Sequence, residues 1–424
     1  MHTLKEIYQD NEERNFIDPS LYSRYRVKAG LRNDNGTGVK VGLTKICDVI
    51  GYKIIHEKKY NIDGQLIYRG YPINYLVNKQ PSDKICGFEE TAYLLIFGTL
   101  PNVDQLKTFK DYLLNFKMGP VDLQYETPNI LNALQIEVLK LYAKDPSADT
   151  DDLEERMMKG LKILASIPLF TFSYARNKVF KSYPYPDRSL AENILCMARG
   201  NDQYTFEEAK IMDTLLMVHA DHGGGNNSTF ANVVISSTGT DIYSCISAAI
   251  GSLKGPKHGG ANCKVINMFK AIFHEVGFTT DQTTLKKIAN RILDKDFFDH
   301  SGLIYGIGHA IYTKSDPRAL LIHEQCEALA KSKGQEEIYN CIHAFEKVAT
   351  EVMKEKKGID VCANVDYYSG YVYSLLGIEA DLFTPLFAIS RTAGWVSHHL
   401  ENRQSNRKLI RPANVYVGEM EEIK

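Results

Sequence analysis

A chain of 424 residues is long enough to bury a large core and to divide into two domains. Its 50 lysines and arginines against 52 aspartates and glutamates leave a formal charge of −2, well mixed along the chain, which argues against a nucleic-acid footprint or a polybasic membrane surface. With 44% hydrophobic and 24% charged residues the composition is that of an ordinary soluble globular protein, and apolar runs such as Ala92 to Phe97 are far too short to span a bilayer.

The first 41 residues are polar and read as an N-terminal arm, with Asn33-Asp34-Asn35-Gly36 marking a turn. Two extended pieces follow, Lys53 to Lys59 and Gln65 to Tyr68, and the Asp63-Gly64 between them predicts a small β hairpin. From Phe88 onward the pattern is helical. Thr205-x-x-Glu208 is a capping box opening a helix whose stripe is Ile211, Leu215, Val218 and His222. Ile242, Cys245, Ile246, Ala249 and Leu253 share one face of a segment that Gly255-Pro256 stops. Val265, Met268, Phe269 and Ile272 resume the period, with Asn262 placed as N-cap. Asp316-Pro317 gives an N-cap followed by proline at the first helical position, and Thr384-Pro385 repeats the device before Leu386 to Leu400. There is no internal repeat and no Gly/Ser linker, so any two domains pack closely across a discontinuous boundary. The class is mainly α.

Eight cysteines are scattered without a C-x-x-C pair, which points to a reducing compartment with neither a disulfide framework nor a zinc knuckle. Met1 to Arg24 carries acidic residues and no apolar core, so no secretory signal or transit peptide is expected. A cytoplasmic location follows by elimination.

Four islands break the helical rhythm. In His219-Ala220-Asp221-His222-Gly223-Gly224-Gly225, the two histidines are three apart. They could serve a metal, cap a helix end as core residues, or, in the case of His222, donate to an anionic or carbonyl ligand. In Gly255-Pro256-Lys257-His258-Gly259-Gly260-Ala261-Asn262, His258 sits near the positive end of a new helix. That setting opposes protonation, and a neutral imidazole can donate a hydrogen bond to developing negative charge. Gly306-Ile307-Gly308-His309 lacks the third glycine and the preceding strand of a dinucleotide fingerprint, and Arg318 follows in the first turn of the next helix. In Asn364-Val365-Asp366, a capping asparagine puts Asp366 in the first turn, where the dipole favours its ionised form. Downstream, Arg391 lies in a strongly apolar stretch and must be paired with an internal acid or an anionic ligand, while Arg411 lies in a tail that could reach another subunit. Three histidines, one acid and three arginines, with no nucleophile motif and no P-loop, suit a substrate with more than one carboxylate, a polarised carbonyl and proton abstraction beside a carbonyl. That set fits carbon–carbon bond formation through an enol.

Taken in order, His-Ala-Asp-His, Gly-Pro-Lys-His-Gly-Gly-Ala-Asn, Gly-Ile-Gly-His with Asp-Pro-Arg, Asn-Val-Asp-Tyr-Tyr-Ser-Gly and Phe387-Ala-Ile-Ser-Arg391-Thr-Ala-Gly-Trp395 resemble the motifs of the citrate synthase family. Leu66-Ile-Tyr-Arg-Gly-Tyr71 and Arg411-Pro412 continue a match running from about residue 42 to 418. The resemblance implies a citrate-synthase-like two-domain helical fold, a homodimer whose large domain (42–261 with 378–424) and small domain (262–377) close over the substrates. It implies oxaloacetate and acetyl-CoA as substrates and no resident cofactor. On the same ground Asp366 would take a methyl proton from acetyl-CoA, His258 would hold the enol, and His309 would polarise the oxaloacetate carbonyl. His222, Arg318 and Arg391 would grip oxaloacetate, with Arg411 entering from the partner subunit. Many relatives carry a basic residue four positions after the histidine matched by His309. Here that position is Thr313, which leaves Lys314 and Lys357 as candidates for the CoA phosphates. A 2-methylcitrate synthase acting on propionyl-CoA, a silent paralogue, and a metal-dependent hydrolase using His219 and His222 are the competing readings.

Overall fold

The computed structural model describes residues 5–6, 9, 16–56, 58–119, 121, 123, 127–405 and 408–418; the arm at 1–4, 7–8 and 10–15 lies outside the described residues. The chain divides into two units, residues 1–43 with 410–424, and residues 44–409. The first unit holds α1 (Ser20–Arg24) and the turn at 33–36, where the Gly36 N–H donates to Asn33 O and the Asn33 N–H to Thr37 O, each at 2.8 Å. Residues 410–418 have no regular structure apart from a bend.

The second unit begins with three antiparallel strands in sequence order, β1 (Cys47–Ile55), β2 (Lys58–Tyr68) and β3 (Tyr71–Pro72). The hairpin is present, but its turn lies between Ile55 and Lys58, and Asp63-Gly64 runs inside β2. Gly64 answers a different need. Its N–H donates to Ser315 O at 3.2 Å, and a Cβ there would sit 2.2 Å from that same oxygen. The glycine lets β2 touch the loop that carries His309, a close backbone approach rather than a turn.

The remainder is helical: α2 (Ile73–Asn78), α3 (Gly87–Phe97), α4 (Val103–Leu114), α5 (Ile130–Ala143), α6 (Leu153–Ala175), α7 (Leu190–Arg199), α8 (Phe206–His219), α9 (Asn227–Ser236), α10 (Ile242–Lys254), α11 (Ala261–Val276), α12 (Gln282–Leu293), α13 (Pro317–Ser332), α14 (Glu336–Lys357), α15 (Val365–Leu375) and α16 (Phe383–Gln404). The expected caps of α8, α13 and α15 form: Thr205, Asp316 and Asn364 each accept a hydrogen bond from a first-turn N–H, and Asp241, not expected from the sequence, does the same for α10. Two expected caps do not. Asn262 lies within the first turn of α11, whose N-cap is Gly260, and its Oδ1 accepts from Cys263 N instead. Thr384 lies within α16, which starts at Phe383 after a 3-10 turn, and its hydroxyl donates to Gly259 O at 3.0 Å. Pro385 is tolerated there because first-turn N–H groups have no partner within the helix.

α16 is buried from Phe383 to His399 and packs against α3, α5, α6, α8, α9 and α10. A helix covered on every side is apolar all round, and α16 follows that rule except at Thr384, Ser390, Arg391, Thr392, Ser397, His398 and His399. Helices α11 to α15 pack chiefly on one another, with α11 also touching α16 and α13 also touching α2, α8 and β2.

One backbone contact fixes the site. Gly394 N–H donates to Ala220 O at 3.1 Å, and a Cβ on Gly394 would meet that oxygen at 2.5 Å and Asp221 Oδ1 at 2.6 Å. The corner after α8 therefore rests directly on the α16 backbone. Gly394→Ala is expected to overpack this contact and to lower stability by roughly 1–3 kcal/mol despite the gain in helix propensity, measured as a fall in the denaturation midpoint.

Candidate active site

α8 ends at His219, so His222 falls beyond the helical stripe in a tight corner rather than on it. Tyr68 on β2 holds this corner: its hydroxyl donates to Asp221 O at 2.9 Å and accepts from Asp221 N at 3.1 Å. The corner's own carbonyl at His219 accepts from Arg391 Nε at 2.7 Å. Both terminal nitrogens of Arg391 are buried without a hydrogen-bond partner among the described residues, as is His222 Nε2. A buried guanidinium with its forked edge unengaged is built for a carboxylate. Burial, then the charges of Arg318 and Arg391, hold His222 well below the usual histidine range, so it is neutral. His219 is neutral for the same reasons, and its ring packs on Phe387 with centroids 4.3 Å apart. Among the described residues no three His, Cys, Asp or Glu side chains come together as a metal-holding group.

His258 sits in the joint between α10 and α11. Its Nε2 lies 3.0 Å from Ser228 Oγ and 3.4 Å from Ser228 N, at the N-terminus of α9. A backbone N–H aimed at Nε2 requires that nitrogen to accept, which places the ring proton on Nδ1. Trp395 Nε1–H donates to the same Ser228 hydroxyl at 3.2 Å and locks it. Burial, then Arg391, push His258 down to about 4. The neutral imidazole expected from the sequence is present, but its first cause is burial. The helix end that faces it belongs to α9, not α11.

The loop carrying His309 is tied to the start of α15. Gly308 N–H donates to Cys362 O and Asn364 N–H to Gly306 O, while the Asn364 side chain donates to Gly308 O, all at 2.8 Å. His309 Nδ1 accepts from the N–H groups of Ile311 and Tyr312 at 3.1 and 3.0 Å, so its ring proton belongs on Nε2. The ring stacks on Tyr312 at 4.6 Å and meets the edge of His222 at 5.1 Å. Arg318, buried in the first turn of α13, is gripped by Asp316 through Nε at 3.0 Å and a second nitrogen at 2.7 Å. Burial works against its charge, but Asp316 overcomes it and raises the Arg318 pKa. Asp316 Oδ2 also accepts from Val365 N at 3.2 Å, joining α13 to α15.

Asp366 follows in the first turn of α15. The residue is half-buried, but its Oδ1 is buried and without a hydrogen-bond partner among the described residues. Burial pushes its pKa up to about 7; Asp316 adds to the rise, and Arg318 and Arg391 oppose it. Its cap position therefore does not win: desolvation outweighs the helix dipole that the sequence suggests would favour the ionised form.

The structure thus places His222 within electrostatic reach of His258, His309, Arg318 and Arg391, and Asp366 within reach of the same two arginines. Lys314 is exposed on the His309 loop, and Lys357 is exposed at the end of α14. Arg411 belongs to the other unit, where it is exposed. Ser228, Tyr312 and the carboxylate of Asp316 are supports that the islands did not reveal in that role. Chemically, two fixed neutral donors, one carboxyl titrating near neutrality and two buried arginines can polarise carbonyls, move one proton and bind an anion.

The chain is also similar to known proteins along most of its length. Residues 33–413 match the family model described as citrate synthase, C-terminal domain. The citrate synthase of Haloferax volcanii is 37% identical over 386 residues, covering 87% of this chain and 94% of that protein. A 2-methylcitrate synthase of Corynebacterium glutamicum is 33% identical, covering 83% of this chain and 89% of its own. The Thermoplasma acidophilum citrate synthase, solved as a ternary complex with carboxymethyl coenzyme A and oxaloacetate, superimposes with a TM-score of 0.74 at 26% identity, covering 94% of this chain and 98% of that one.

Proposed function

The chain belongs to the citrate synthase family of acyltransferase-type enzymes, and we propose that it condenses acetyl-CoA with oxaloacetate and hydrolyses the resulting citryl-CoA to citrate and CoA. The observation that carries the reading is the buried Arg391, with its terminal nitrogens unpartnered, beside a carboxyl poised near 7 and two neutral imidazoles whose protons are fixed. Asp366 takes a methyl proton from acetyl-CoA while His258 Nδ1–H holds the thioester oxygen of the enol. The enol carbon then attacks the oxaloacetate carbonyl, which His309 Nε2–H polarises and whose new alkoxide it protonates. Water cleaves the thioester last. His222, Arg318 and Arg391 hold oxaloacetate, and Arg411 completes the site from the partner of a homodimer.

The Thermoplasma acidophilum complex supports this substrate pair. No resident cofactor enters the reading, and Lys314 and Lys357 are assigned to the CoA phosphates. The mutual packing of α11 to α15 supports a small domain at 262–377 that closes on the remainder to exclude water. All eight cysteines are unpaired, which supports a reducing, cytoplasmic setting, and no described helix is long and apolar enough to cross a membrane.

Thiol release with oxaloacetate plus acetyl-CoA, then with propionyl-CoA, tests the reading. Oxaloacetate-dependent release that is faster with acetyl-CoA is expected. Faster release with propionyl-CoA turns the assignment to 2-methylcitrate synthase, and none with either sinks it.

A further inference from the structure

Behind the site lies a buried pair that the proposed chemistry does not use. Asp221 Oδ2 lies 3.0 Å from His398 Nε2 and accepts from Gly223 N at 3.2 Å, and both side chains are almost wholly buried. A lone carboxylate in such a place is costly unless it is held and balanced. His398 holds it, and Arg391 adds a second favourable charge. Both residues are on α16, seven apart and therefore on one helical face. The second oxygen, Asp221 Oδ1, has no hydrogen-bond partner among the described residues and lies against Gly394, one turn from Arg391. Burial works against the charge of each; His398 and then Arg391 support the Asp221 carboxylate, and Asp221 supports the Arg391 charge. Yet no hydrogen bond joins them: the guanidinium spends only Nε, on His219 O, and keeps both terminal nitrogens unpartnered.

We propose that Asp221, clamped by His398, is the positioning residue for the oxaloacetate site, a fixed counter-charge that supports Arg391 without occupying the donors meant for the substrate carboxylate. A carboxylate in direct fork-to-fork contact would compete with the ligand. One set back against Gly394 does not. The same residue sets His222, because Asp221 is the centre of the corner that ends in it and its backbone is fixed by Tyr68. Substrate affinity and the shape of the corner therefore depend on one buried acid. This inference rests on the oxaloacetate reading above and deepens it.

The test uses the full-length enzyme with Asp221→Asn, which keeps size and removes charge, and His398→Gln, which keeps a donor toward Asp221. Oxaloacetate binding is read without acyl-CoA from the fluorescence of Trp395, the single tryptophan, and KM for each substrate is read from thiol release. Asp221→Asn is expected to weaken oxaloacetate by about tenfold or more in both readouts, with KM for acetyl-CoA within about twofold. His398→Gln gives a change in the same direction of about threefold. A folded Asp221→Asn with unchanged oxaloacetate affinity overturns the proposal, as does an equal rise in both KM values, which a merely structural role would produce. If Asp221→Asn does not fold, His398→Gln decides by the same criterion. Failure of the wild-type enzyme to bind or turn over oxaloacetate defeats the functional reading itself, and is thereby distinguished from failure of this inference.

Discussion

Asp366→Asn is expected to lower kcat by about a thousandfold while leaving the protein at least as stable as the parent at pH 8. The first half follows from chemistry. A thioester methyl is a very weak acid, and Asp366 is the base assigned to it; asparagine keeps the side-chain size and cannot accept that proton. The second half follows from linkage. The Asp366 carboxyl titrates near 7 in the fold against an ordinary aspartate value of 3.8. Between those values the folded protein holds a proton that the unfolded chain has released, so stability falls as pH rises across the window and the deficit persists above it. Asparagine removes that deficit, roughly a few kcal/mol at most because part of the residue faces solvent.

The pH profile carries a sign. Asp366 accepts a proton only when ionised, so kcat/KM of the parent should rise with pH through about 7, and the residual activity of Asp366→Asn should lack that limb. Steady-state rates from pH 5.5 to 8.5, with denaturation midpoints at both ends, check both halves. A variant with near-parental turnover removes Asp366 from the mechanism. One that is much less stable at pH 8 contradicts the account of its burial.

The contrast between this residue and its neighbours shows what local sequence can and cannot disclose. Asn364, Asp316 and Thr205 announce helix starts because a cap and the N–H groups it serves lie within a few residues, and each forms as expected. The islands are legible for the same reason: histidines and arginines beside glycines mark loops where backbone and ligand meet. The order of those islands is what carries the family resemblance. What stays hidden is set by partners far away in the chain. Asp221 and His398 are 177 residues apart, and Trp395 reaches Ser228 across 167. Asp63-Gly64 misleads because a turn glycine and a close-approach glycine look alike until Ser315 is seen against it. Thr384 reads as a cap until its hydroxyl is found on Gly259 O. The pKa of Asp366 could not be inferred from its cap position, since the helix dipole is local and the desolvation that outweighs it is tertiary.

His258→Ala is expected to lower kcat by about 10²–10³-fold, the usual loss on removing one fixed donor to a developing oxyanion. The donor is fixed by more than its own loop. Ser228 engages Nε2 from the start of α9, Trp395 holds the Ser228 hydroxyl from α16, and the proton left on Nδ1 is the one available to an enolate oxygen. With its pKa pushed down to about 4, the imidazole stays neutral throughout the working range, so lowering the pH to 6 neither rescues nor mimics the loss. An imidazolium would be the stronger donor, but burial and the Arg391 charge oppose it, and a neutral donor is better matched to a weakly acidic enol. Linkage predicts the accompanying change in stability. His258 is neutral in the fold and protonated in the unfolded chain between about 4 and 6.5, so it contributes to the loss of stability as pH falls through that window. The alanine variant should therefore show a shallower decline of its denaturation midpoint between pH 6.5 and 4. At pH 7.5, where the imidazole is neutral in both the folded and the unfolded chain, this linkage adds no difference between the midpoints. Ser228→Ala separates orientation from presence: the imidazole and the backbone N–H at Nε2 remain, and the loss in kcat should be smaller than that of His258→Ala. Equal turnover of His258→Ala and the parent would remove the enol-stabilising role.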